Sequence, residues 1–102
     1  MLNRQIQNII PSIHDYFIDQ PVKYVYLFGS YSRGEETDNS DIDLLVKLDN
    51  SQPIGLFKYV SMITDLEKIT GKTIDLVEED GLDKYAKPFI DNDKILIYER
   101  AD

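Results

Sequence analysis

Val22-Lys23-Tyr24-Val25-Tyr26-Leu27-Phe28 runs straight into Gly29-Ser30, and ten residues further on the chain reads Asp41-Ile42-Asp43-Leu44-Leu45-Val46-Lys47-Leu48. The first run is β-branched and aromatic and is stopped by the glycine, so the pattern predicts a buried strand. Ile42 to Leu48 predicts a second strand, and the Gly, Ser, Arg, Glu, Asn and Asp residues between the two form the connecting loop. Side chains two apart on a strand share a face, so Asp41 and Asp43 point the same way while Ile42 turns to the other side.

Outward from this pair of strands the pattern alternates. Leu2, Ile6, Ile9, Ile13 and Phe17 recur at helical steps with Pro11 among them, which predicts one kinked helix or two short ones ahead of Pro21. Asp49 to Pro53 reads as a turn. Leu56, Tyr59, Val60, Ile63, Leu66 and Ile69 form a helical stripe between Gly55 and Thr70, and Gly71 supplies the stop. Thr73 to Val77 is a third short strand, Leu82 to Ala86 a helical turn or two before Pro88, and Ile95 to Glu99 a last strand. No repeat, linker or low-complexity tract appears. The expected architecture is a small α/β (α+β) sandwich, one sheet with helices packed on it, in a single domain over residues 1–102.

Composition narrows the function. The chain has 102 residues, 42% apolar and 29% charged, the profile of a soluble globule. Nineteen acidic against eleven basic residues leave a net charge of −8, the wrong sign for holding a nucleic-acid backbone. Without cysteine there is no disulfide framework, thiolate zinc site or thiol nucleophile. Residues 1–8 lack the pattern of a secretory leader, and no apolar run approaches the ~20 residues of a membrane span, so a cytoplasmic location is expected.

The acidic residues carry the chemistry. Two hard oxygen ligands one strand-step apart, Asp41 and Asp43, suit a pair of Mg²⁺ ions of the kind that clamp the attacking and leaving oxygens in phosphoryl-type transfer. Asp75 lies between Ile74 and Leu76, which face the other side, and is the expected third carboxylate. An acid there without a metal or partner would be costly. Gly29 permits close approach by a phosphate, Ser30 is read as the cap of a short helix, and Arg33 offers a fork of donors to the same phosphates, with a surface pair to Glu35 or Glu36 as the alternative. The parts describe a site for a nucleoside triphosphate with Mg²⁺.

Other motifs fall away. Gly29 to Gly34 has P-loop glycine spacing, but Glu35-Glu36 stand where Lys and Ser/Thr belong, and Gly71-Lys72-Thr73 lacks the upstream glycine. Asp38 to Asp43 imitates a calcium loop, with isoleucine at a ligand position. Glu78-Glu79-Asp80 reads as a solvated loop, His14 as a packing or surface histidine, and the seven tyrosines as packing residues, with Tyr31 and Tyr98 as conceivable self-modification acceptors.

Gly29-Ser30, ten residues, then Asp41-x-Asp43 resembles the signature of the nucleotidyltransferase superfamily related to DNA polymerase β. By residue usage alone, those four residues at that spacing arise in about one chain in a thousand of this length. More narrowly, the segment from Gly29 to Val46 is similar to the minimal nucleotidyltransferases, small proteins often paired as antitoxins with helical HEPN-type toxins. The resemblance implies a polymerase β-like core that uses ATP. It matches Gly29 and Ser30 to the triphosphate-binding pair, Arg33 to the arginine that commonly follows it, Asp41 and Asp43 to the metal-binding carboxylates, and Asp75 to the third carboxylate, which acts as base or metal ligand near the attacking hydroxyl. It implies transfer of AMP to a tyrosine of a HEPN-type toxin, with the toxin as hetero-oligomeric partner completing so small a core. Ser32 departs from the usual alanine. The alternatives are neutralisation by complex formation alone and nucleotidyl transfer to a small molecule such as an aminoglycoside.

Overall fold

The computed structural model describes residues 2–51 and 53–101; Gln52, part of the expected turn, lies outside them. The elements are α1 (Arg4–Phe17), β1 (Val22–Phe28), α2 (Ser30–Arg33), β2 (Ile42–Leu48), α3 (Leu56–Thr70), β3 (Ile74–Glu78), a 3₁₀ turn (Glu79–Gly81), α4 (Lys87–Asp93) and β4 (Ile95–Glu99). Four strands form one mixed sheet in the order β3-β2-β1-β4. β1 runs antiparallel to both β2 and β4, while β2 and β3 are parallel, joined by α3 as the crossover helix.

α1 and α3 cover one face of the sheet; the other is only partly open, with Leu45 on it 1% exposed. Val22, Val25 and Leu27 of β1, Ile42, Leu44 and Val46 of β2, and Ile74 and Leu76 of β3 join Ile6, Ile13 and Phe17 of α1 and Met62 and Leu66 of α3 in one apolar cluster. The alternate positions, including Tyr24, Tyr26, Asp43 and Asp75, face the other way.

α1 is one continuous helix despite Pro11. Asn3 caps it, its Oδ1 accepting from the Ile6 N–H at 2.7 Å. Pro11 and Gln7 are both exposed, so the carbonyl that Pro11 leaves without a donor faces water, and the alternative of two short helices does not arise. α3 ends at Gly71 in the left-handed conformation, φ +70°. Its buried stripe is rotated from the expected one. Met62 and Leu66 are buried with Tyr59 and Ile63 beside them, whereas Leu56, Val60 and Ile69 are exposed.

Two further expectations are corrected. Leu82 to Ala86 is not helical; α4 instead starts at Lys87 and takes Pro88 into its first turn, where a missing N–H costs nothing. Glu78-Glu79-Asp80 is not a free solvated loop. The Tyr24 hydroxyl donates to Glu79, Lys47 pairs with Asp80, and Glu78 accepts from the Leu48 N–H at 3.3 Å. These bonds tie the start of the β3–β4 connection to β1 and β2. Because β3 and β4 are opposite edges, the connection must pass from one side of the sheet to the other. No helix among the described residues is long and apolar enough to cross a membrane.

Tyr31 is 1% exposed and anchors the single turn of α2 in the core, and Tyr98 is buried against Phe17 and His14; neither presents a hydroxyl for modification. Tyr31→Ala is expected to cost about 3 kcal/mol of stability, read from the urea midpoint at unchanged m-value.

Candidate active site

The site begins where β1 stops. Phe28 is the register partner of Asp43, so the next residue, Gly29, turns over the Asp43 carboxylate. Gly29 holds φ +77° and ψ −156°, a conformation that favours glycine, and a Cβ built there would lie 2.1 Å from Asp43 Oδ2. Two constraints thus coincide at one position. Gly29 itself is the N-cap of α2 and Ser30 the first helical residue, which corrects the reading of Ser30 as the cap. The Gly29 carbonyl accepts from the Ser32 and Arg33 N–H groups and from Ser32 Oγ at 2.7 Å, so the serine that departs from the usual alanine tightens the turn. The first N–H groups of α2 have no intrahelical acceptor.

Asp43 is also the register partner of Asp75 across the parallel β2–β3 ladder. Gly29, Asp43 and Asp75 therefore form a row across three strands on the open face. Burial first, then repulsion from Asp75, a shared hydrogen bond with it and repulsion from Asp41 push the Asp43 carboxyl up to about 6, while Arg33 pulls it down. Asp41 sits just ahead of β2 and is exposed, as is Asp75 on the edge strand, so the cost foreseen for an unpartnered acid falls on Asp43 instead.

Arg33 makes the surface pair with Glu35, Nε to Oε1 at 2.7 Å, and a second with Asp93 of α4, Nη1 to Oδ2 at 2.7 Å. Asp93 carried no signal in the sequence. It lies sixty residues from Arg33, at the end of a helix whose start was misplaced. Beside Asp41, a cleft of about 240 Å³ is lined by Asp38, Asn39, Ser40, Gly71, Lys72 and Thr73. A larger cavity, about 660 Å³, lies at the other end of β1, around Lys23 and Arg100, away from the carboxylate row.

Among the described residues no three carboxylate, imidazole or thiol groups converge as a preformed metal cage. The donors here nevertheless fit Mg²⁺, which takes hard oxygens and commonly uses one or two carboxylates plus substrate phosphates. Burial contributes most to the rise at Asp43, and a divalent cation bound there would offset the repulsion that adds to it.

The profile of the nucleotidyltransferase domain matches residues 7–97, and the chain belongs to that family. Among its relatives, a candidate protein adenylyltransferase of Methanocaldococcus jannaschii is 40% identical over 77 residues, 74% of this chain and 77% of its own length. A solved candidate minimal nucleotidyltransferase superposes with a TM-score of 0.78 at 25% identity, covering 93% of this chain and 95% of that one. The minimal nucleotidyltransferase antitoxin in complex with a tri-AMPylated HEPN toxin from Shewanella oneidensis shares the fold, with a TM-score of 0.63, 19% identity and coverage of 94% and 73%.

Two outcomes follow from the geometry. Gly29→Ala is expected to lose at least about 2 kcal/mol, since both φ and space oppose it, measured by thermal unfolding. Asp43→Asn acts in the opposite direction in metal-free protein. The folded carboxyl holds its proton up to about pH 6 and the unfolded one only to its ordinary value of 3.8, so stability falls as pH rises through that window and the penalty persists above it. Fully buried, the penalty would approach 3 kcal/mol; with part of the group in water, about 1 kcal/mol remains. Asp43→Asn should raise the melting temperature at pH 8 and leave it nearly unchanged at pH 3.5.

Proposed function

We propose that this nucleotidyltransferase moves AMP from ATP to a tyrosine hydroxyl of a HEPN-type toxin in the cytoplasm and so acts as its antitoxin. The observation that carries the reading is the row of Gly29, Asp43 and Asp75, which sets the Gly-Ser turn directly against paired carboxylates. Support for a protein acceptor comes from the candidate protein adenylyltransferase among the relatives and from the AMPylated HEPN toxin bound to a protein of this fold.

In this reading the backbone at Gly29 and Ser30 holds the triphosphate, with Arg33 adding guanidinium donors. Asp41 and Asp43 would hold Mg²⁺, with Asp75 beside them, and the ion when bound would neutralise charge on the carboxylates and phosphates alike. Asp75, exposed on the edge strand, takes the proton of the incoming hydroxyl as its oxygen bonds to the α-phosphorus. The bond from that phosphorus to the β-phosphate bridging oxygen breaks, and pyrophosphate leaves. The acidic surface, −8 overall, favours a basic partner and makes association weaken with salt.

The test incubates the protein with α-labelled ATP, Mg²⁺ and the HEPN-type protein encoded beside it. Label is expected on a toxin tyrosine, falling at least about a hundredfold in Asp41→Asn and Asp43→Asn and disappearing with EDTA. Neutralisation that survives both substitutions without any label would overturn the reading in favour of inhibition by binding alone.

A further inference from the structure

We infer that Asp93 is a positioning residue for the nucleotide, acting through Arg33, so that α4 belongs to the nucleotide site. The inference rests on the reading of Gly29-Ser30-x-x-Arg33 as the triphosphate-binding turn.

Arg33 closes α2, and its backbone N–H donates to the Gly29 carbonyl at 3.2 Å, which ties it to the Gly-Ser turn. Two carboxylates grip the guanidinium from different sides: Glu35 on Nε and Asp93 on Nη1, both at 2.7 Å. They differ in setting. The Glu35 side chain is 65% exposed and that of Asp93 only 18%, so water screens the Asp93 pair far less. A guanidinium is a rigid planar fork, and fixing Nε and Nη1 fixes the direction of Nη2. Nη2 makes no hydrogen bond or ion pair among the described residues, and its donors remain for a ligand. Arg33 thus meets a phosphate with its rotamers already ordered, which lowers the entropic cost of binding.

The surroundings of Asp93 argue against a role in packing. α4 buries no side chain, and its Phe89 is 75% exposed. Lys87 at the start of α4 and Lys94 just past its end both pair with Asp91, which among the described residues leaves Arg33 as the cation bonded to Asp93. α4, with no fully buried side chain and its last carboxylate bonded to Arg33, is placed to orient the arginine.

The test measures ATP affinity calorimetrically with Mg²⁺ on the full chain, without acceptor, for wild type, Asp93→Ala, Asp93→Asn, Asp93→Glu, Arg33→Ala and the double variant Arg33→Ala/Asp93→Ala. Asp93→Ala should weaken ATP about tenfold and Asp93→Glu should restore most of it. The double variant should bind no worse than Arg33→Ala alone. In transfer assays the loss should appear in KM for ATP, with kcat within about twofold. Unchanged or tighter binding by Asp93→Ala, or additive losses in the double variant, overturns the inference. Should Asp93→Ala fail to fold by circular dichroism, Asp93→Asn, which keeps the shape and removes the charge, gives the same decision. Wild type that binds no ATP refutes the nucleotide-site reading itself, whereas wild type that binds ATP but labels no acceptor refutes only the proposed reaction and leaves the role of Asp93 decided by the affinities.

Discussion

The contact between the Gly29 backbone and the Asp43 carboxylate is the constraint around which the site is arranged. It depends on three things together: β1 ending at Phe28, the antiparallel register that sets Phe28 opposite Asp43, and a residue at 29 with neither a Cβ nor an aversion to positive φ. Tyr31 fixes the turn from below by entering the core, and Ser32 fixes it from within by bonding the Gly29 carbonyl. The electrostatic cost is concentrated at the same point, where Asp43 is partly removed from water and faces a second carboxylate. Repulsion concentrated at one place, in a fold otherwise consistent with its local preferences, is what a bound cation there would relieve.

The two faces of the sheet divide the work. α1 and α3 supply an apolar cover whose packing holds the strands, and the opposite face carries the carboxylates at one end, beside the buried Leu45 and the Tyr24–Tyr26 pair. The chain reaches that face by the path from β3 to β4, which spans the sheet and carries few apolar anchors. Glu79 and Asp80 fasten its beginning to Tyr24 and Lys47, and Asp93 fastens its end to Arg33. Polar bonds, individually modest, thus hold the segment that borders the site, while the core is insulated from any movement there.

Much of this was legible in the residues. The four strands and α3 were readable because apolar alternation and glycine stops are strong local signals, and the pairing of Gly29-Ser30 with Asp41 and Asp43 was readable because it is short in sequence. α4 was not, because Pro88 is equally at home after a helix and in its first turn, and an exposed helix has no apolar stripe to betray it. The buried stripe of α3 differs from the apolar one by a fraction of a turn, because Leu56 and Val60 are apolar yet exposed while Met62 enters the core. Long-range polar partners were beyond reach altogether. Nothing near Arg33 points to Asp93, and nothing near Tyr24 points to Glu79.

The parallel pairing of β2 with β3 makes the α3 crossover a ruler for the site. Asp75 reaches Asp43 only because Ile42 meets Ile74 and the ladder continues in step. A single residue gained or lost between Gly71 and Thr73 would slip that ladder by one, turning Asp75 toward the core and presenting Ile74 or Leu76 beside Asp43. The connection between Gly81 and Ala86 carries no such requirement. Length variation among descendants of this chain is therefore expected to be tolerated after β3 and purged before it, an asymmetry set by strand register rather than by distance from the carboxylates.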